Sequence, residues 1–130
     1  MSDSAEEWLQ AAQDDINAVI QLLNDPRLTN IASFHVQQAV EKCFKAVLEK
    51  NDIQLIKSYN LERLYENVKD FIHVPDEDLL QVINELYIDS RYPGDAGLMP
   101  DGKPAVDDVN EFLEFAREVY NRAAAYIKEP

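Results

Sequence analysis

An all-helical fold is the reading that this sequence supports first. Glycine occurs only three times in 130 residues, and long stretches carry neither glycine nor proline. Apolar residues recur at spacings of three and four along most of the chain, the period of one helix face. Hydrophobic residues make up 46%, enough for one real core in a chain of this length. The expectation is an up-and-down bundle of about five helices in a single domain spanning 1–130.

Each element follows from its own signals. Ser4 and Glu7 have capping-box spacing. Ala5, Trp8, Leu9, Ala12, Ile16, Val19, Ile20 and Leu23 then trace one face of a first helix, stopped by "NDP" at 24–26. A second helix covers roughly 30–50 and leads into the connector "NDIQLIKS" at 51–58. Leu61, Leu64, Tyr65, Val68 and Phe71 mark a third helix, capped by Ser58 or Asn60. "HVPDED" at 73–78 starts a fourth, because proline and acids suit a first turn. Its expected buried face is Leu79, Val82, Ile83 and Leu86. Residues 90–104 hold all three glycines and three of the six prolines, so they form a loop. Val106, Val109, Phe112, Leu113, Ala116, Val119, Tyr120, Ala123 and Ile127 define a long last helix.

The formal net charge is −13, which repels nucleic-acid phosphates at long range and argues against duplex DNA as a ligand. Basic residues are nonetheless clustered. Lys42, Lys45, Lys50, Lys57 and Arg63 fall in a stretch whose acids are Glu49, Asp52 and Glu62. Cys43, the only cysteine, cannot form an internal disulfide and reads as a core residue in a reducing compartment. The acidic, amphipathic start does not read as a signal peptide, and no segment approaches the ~20 apolar residues of a membrane span. The expectation is a cytoplasmic protein with no membrane association.

The second helix stands apart. On a wheel of ~100° per residue, Ala32, Val36, Ala39, Val40, Cys43 and Val47 form one stripe, widened by Phe44, Leu48 and Ala46. The apolar arc, about 200° wide against ~100° for a surface helix, predicts a central helix and surface left over for a symmetric homodimer. Gln37 falls inside the arc. Gln38, Glu41, Lys42 and Lys45 fall opposite it, at i, i+3, i+4 and i+7, where Glu41 and Lys45 can pair. Periodicity alone reads that face as solvated, with Gln37 inward and structural and Lys45 outward.

"FHVQQAVEKCFKAVL" at 34–48 resembles the signature helix of the HEPN domain (higher eukaryotes and prokaryotes nucleotide-binding). Gln37, Gln38, Ala39, Glu41, Lys42, Lys45 and Ala46 meet its pattern. Ser90, Arg91, Tyr92 and Pro93 match a Ser-Arg-Tyr-Pro segment that the family often carries after its fourth helix. A third element is degraded: where the family has Thr-His-Asp-Leu, this chain reads "SYNL" at 58–61, with Tyr59 in place of the histidine. The resemblance implies a helical bundle, usually dimeric, associated with nucleotides or RNA. It also implies, as in many prokaryotic members, a minimal nucleotidyltransferase as partner in a toxin–antitoxin pair. Ribonuclease members carry an arginine followed, after four to six residues, by a histidine. Here no histidine follows Arg91, since His35 and His73 both precede it.

The expected site is therefore one for nucleotide or phosphate, comprising Gln38, Glu41, Lys42, Lys45, Arg91 and Tyr92. Lysine and arginine would hold phosphate oxygens, Tyr92 would stack on a base, and Gln38 would read a base edge or ribose hydroxyl. No catalytic residue is assigned. Neither a metal site nor a cofactor is expected, since no local spacing supplies further ligands to His35 or His73 and the glycines form no phosphate cradle. Two alternatives stay open: a metal-independent ribonuclease with a rearranged site, in which Glu41 or Tyr92 acts as base, and a purely structural helical dimer.

Overall fold

The computed structural model describes residues 3–55, 57–58, 60–91 and 103–128, with the side chains of 3 and 87–91 outside that description. Among the described residues there are five α-helices and no strand: α1 (Asp3–Leu22), α2 (Thr29–Lys50), α3 (Leu61–Glu66), α4 (Glu77–Arg91) and α5 (Val106–Lys128). A 3-10 turn at Pro26–Leu28 joins α1 to α2. Asp25 caps that turn, its Oδ1 accepting the Arg27 amide at 2.9 Å.

α2 is the axis of the bundle. It packs against α1, α3, α4 and α5, most extensively against α1. Along its whole length only Ile31 is exposed. Ala32, Val36, Ala39, Val40, Cys43, Phe44, Ala46, Val47 and Leu48 are all fully buried. The wide apolar arc is thus covered by the chain's own helices, so it supplies no spare surface for a second copy. α2 ends in a Schellman arrangement: the Ile53 amide donates to the Leu48 carbonyl at 2.9 Å and the Asp52 amide to the Glu49 carbonyl at 3.1 Å. Asp52 takes the left-handed conformation this requires, φ 56°, a region that aspartate tolerates better than most residues.

α1 contributes Ala5, Leu9, Ala12, Ile16 and Val19 to the core, as the spacing predicts, whereas Trp8 and Leu23 of the expected face are only partly buried and Ile20 is exposed. The helix already includes Asp3, so Ser4 lies inside its first turn rather than capping it. α3 is shorter than the apolar spacing suggests. Asn60 caps it, Oδ1 accepting the Arg63 amide at 3.0 Å. Asn67 ends it, with Nδ2 donating to the Arg63 carbonyl at 3.0 Å. A side-chain donor there takes the place of the next backbone amide. Val68 and Ile72 stay buried in the turns that follow.

The buried face of α4 is rotated from the expected one. Leu80, Ile83 and Leu86 face the core, whereas Val82 is 44% exposed and Leu79 only partly buried. Asp76 caps the helix, its Oδ1 accepting the Leu79 amide at 3.1 Å. α5 buries Val109, Phe112, Leu113, Ala116, Val119, Ala123 and Ile127 as expected, with Phe115 and Ala124 added. Tyr126 Oη donates to Asn51 Oδ1 at 2.8 Å, pinning the end of α5 to the end of α2. No helix among the described residues is long and apolar enough to cross a membrane.

Cys43 lies in the core, fully buried. Burial pushes its thiol pKa well above the ordinary range, and the nearby Asp15 charge adds to the shift. The reactive thiolate is thereby suppressed. A disulfide reagent at pH 8 is expected to label the native protein at least roughly 100-fold more slowly than the urea-unfolded chain. Comparable rates would place the thiol outside the core.

Candidate functional site: the polar seam between α1 and α2

The polar face of α2 is not a solvated surface. α1 runs antiparallel over it and supplies its own polar and aromatic partners. Glu41 is 4% exposed, and its Oε2 accepts from Lys45 Nζ at 2.7 Å. Its other oxygen, Oε1, is buried with no hydrogen-bond partner among the described residues. The same ammonium lies over the ring of Trp8 on α1, 5.2 Å from its centroid. Lys45 is therefore enclosed by a carboxylate and an indole, with a side chain only 16% exposed. This corrects the outward position that the helical wheel gives it. The wheel records only the residues of α2, and what covers them is set by α1.

One α-helical turn or two away along the seam lies a second cluster. Asp15 on α1 is 7% exposed, and both its oxygens are engaged by α2. His35 Nδ1 sits 2.8 Å from Oδ1, and Lys42 Nζ 2.7 Å from Oδ2. The His35 and Lys42 side chains keep 31% and 25% of their surface, so this cluster meets solvent on its outer side. The ring of Phe34 packs edge-on against the imidazole at 5.6 Å. Gln38 lies between His35 and Lys42 on the helix face, and its Nε2 donates to Gln37 Oε1 at 2.8 Å. Gln37 is fully buried, as expected.

Of the six expected site residues, the structure brings Gln38, Glu41, Lys42 and Lys45 onto this seam. Arg91 ends α4 but its side chain is not described, and Tyr92 lies outside the described residues. Asp15 and His35 were missed from sequence. The signal for Asp15 was present: with Trp8, Ala12 and Val19 it keeps the three-and-four spacing of the α1 core stripe. A charge on such a stripe needs a partner. His35 carried no such signal.

A separate shallow cleft of about 530 Å³ is lined by Phe71, Ile72, His73, Arg122, Ala125 and Tyr126. Two of the five N–H donors of its Arg122 guanidinium are engaged, Nη1 with the His73 carbonyl at 2.8 Å and Nε with Glu118 at 2.9 Å. Among the described residues no group of three or more histidine, cysteine, aspartate or glutamate side chains is placed to hold a metal.

The family model of the HEPN domain matches residues 5–126, nearly the whole chain. The chain belongs to the HEPN domain family. Two solved structures share the fold of this HEPN domain. TT1696 from Thermus thermophilus superimposes with a TM-score of 0.82 at 22% identity, over 97% of this chain and 99% of that one. ST0689, an archaeal HEPN homologue, gives 0.71 at 24% identity, over 95% and 98%. No curated protein matches the sequence significantly. Among the α2 residues that meet the HEPN pattern, Lys42 pairs with Asp15 of α1 and Lys45 lies over Trp8 of α1.

Proposed function

We propose that this HEPN domain binds a mononucleotide or a short RNA end at the α1–α2 seam. Gln38 and Lys42 would contact it, with the Glu41–Lys45 pair bordering the site, and with Arg91 and Tyr92 contributing from the end of α4 and the segment after it. The carrying observation is that Lys42 and Gln38 sit half-buried on the polar strip of a helix that packs against α1, α3, α4 and α5. An ammonium has three N–H groups, and Asp15 engages only one of those on Lys42. Further donors on the same nitrogen can turn to a phosphate. A net charge of −13 opposes long polyanions, which favours a small ligand over duplex DNA.

The wider setting proposed for the domain comes from its family: a homodimer in the cytoplasm, partnered by a minimal nucleotidyltransferase in a toxin–antitoxin-type pair. The exposed Ile20, Ile31 and Val82 are apolar surface compatible with such contacts.

Binding and cleavage are separated by one two-armed experiment. Calorimetric titration with a mononucleotide is expected to give a Kd of about 0.1–1 mM, weakening as salt is raised. Labelled single-stranded RNA incubated with the protein in chelator is expected to stay intact, because no histidine follows Arg91 in this sequence. Chelator-resistant cleavage that disappears in Arg91→Ala would replace this reading with the ribonuclease one. Intact RNA together with no nucleotide binding would leave a structural helical dimer.

A further inference from the structure

The Asp15–His35 pair carries information about the ligand itself. Asp15 is paired with Lys42 at 2.7 Å, and a carboxylate in an ion pair only accepts hydrogen bonds. His35 Nδ1, at 2.8 Å from that carboxylate, must therefore carry the hydrogen. In the neutral ring this leaves Nε2 as an acceptor, on a side chain that is 31% exposed. No hydrogen bond from the described residues occupies Nε2. A buried carboxylate thus fixes both the tautomer and the direction of a solvent-facing imidazole, the way outer-shell carboxylates orient working histidines elsewhere.

The group beside it is a cation. His35 Nδ1 and Lys42 Nζ stand on the two oxygens of one carboxylate, so the imidazole that carries the acceptor nitrogen on its outer edge and the ammonium are held by the same anchor. A ribonucleotide presents the complementary pair: a 2′-hydroxyl that donates, next to a phosphate that takes positive charge. Free phosphate or a 2′-deoxynucleotide would use Lys42 and leave Nε2 without a partner.

We propose that His35, oriented by Asp15, accepts a hydrogen bond from the ribose 2′-hydroxyl of the ligand, so that the seam selects ribonucleotides over 2′-deoxyribonucleotides. This rests on the nucleotide-binding reading given above and narrows it. The 2′-hydroxyl is the group by which a protein tells RNA from DNA, and a site that pairs with a hydroxyl disfavours the analogue lacking it.

The test uses the full chain, a fluorescein-labelled adenylate trimer and its 2′-deoxy counterpart, both followed by anisotropy in low salt with chelator. The ribo trimer is expected to bind about 2- to 10-fold more tightly, the value of one partly exposed hydrogen bond. His35→Phe keeps a ring against Phe34 but has no acceptor, and should bring the ribo-to-deoxy affinity ratio down to about one. Lys42→Ala should weaken both alike. A second readout needs no variant: the chain has two histidines, and at saturation the His35 Cε1–H resonance should shift further with the ribo trimer than with the deoxy trimer, with His73 as internal control. Equal affinities for the two trimers, or equal loss of both in His35→Phe, overturn the inference while leaving nucleotide binding standing. Binding of neither trimer removes the site and this inference with it.

Discussion

Lys45→Ala is expected to lower the unfolding free energy by about 3 kcal/mol, read from the midpoint and slope of urea denaturation. Lys45 Nζ is 2.7 Å from Glu41 Oε2, and Glu41 is 4% exposed. Breaking a buried pair by removing one partner costs ~3–5 kcal/mol, because it strands the other charge in a poor solvent for ions. The remaining 16% exposure of the lysine side chain moves the expectation to the lower end. Loss of the ammonium over Trp8 removes a cation–aromatic contact of ~0.5–2 kcal/mol as well. The paired variant Glu41→Gln/Lys45→Met should recover most of the loss, since apolar or neutral replacements of a buried pair are often near-neutral. A loss in Lys45→Ala below about 0.5 kcal/mol, the ordinary range for surface changes, would put this pair on a solvated face.

Phe44→Ala should cost about 3–5 kcal/mol by the same measurement. Phe44 is fully buried on α2 and stacks on Tyr65 of α3, with ring centroids 5.8 Å apart and 29° between planes. Tyr65 in turn accepts the Val74 amide on its hydroxyl at 3.3 Å. Removal of the phenyl ring therefore opens a cavity under the α3 region and loosens the segment leading into α4. Small domains have only ~5–15 kcal/mol to lose, so this variant forfeits a large fraction. A loss below about 1.5 kcal/mol would mean that the site collapses around the smaller side chain or that the ring is not in the core.

The helices were legible because their apolar residues repeat at the helical period, and α2 was recognisable as central from the width of its arc. The elements that shifted are those whose limits depend on single polar side chains. Asn67 ends α3 early by bonding the Arg63 carbonyl. Asp76 sets the start of α4, while its buried face, Leu80 in and Val82 out, is set by the helices packed against it. The α2 signature residues were legible through their resemblance to the HEPN pattern, but their environment was not. A helical wheel places Lys45 opposite the core stripe, yet burial depends on what lies across that face, and α1 lies there. Asp15 could have been found by asking why an acid keeps the spacing of the α1 core stripe. His35 became visible only through its 2.8 Å contact with Asp15, twenty residues away in sequence.

Ligand binding at the α1–α2 seam of this HEPN domain is tested most directly by amide chemical-shift mapping. The isotopically labelled chain is titrated with adenosine monophosphate. Shifts concentrated at residues 35–45 of α2 and around Asp15 of α1, reduced in Lys42→Ala, are the predicted result. Shifts centred on the cleft between Phe71 and Tyr126, with residues 35–45 unmoved, would contradict the account.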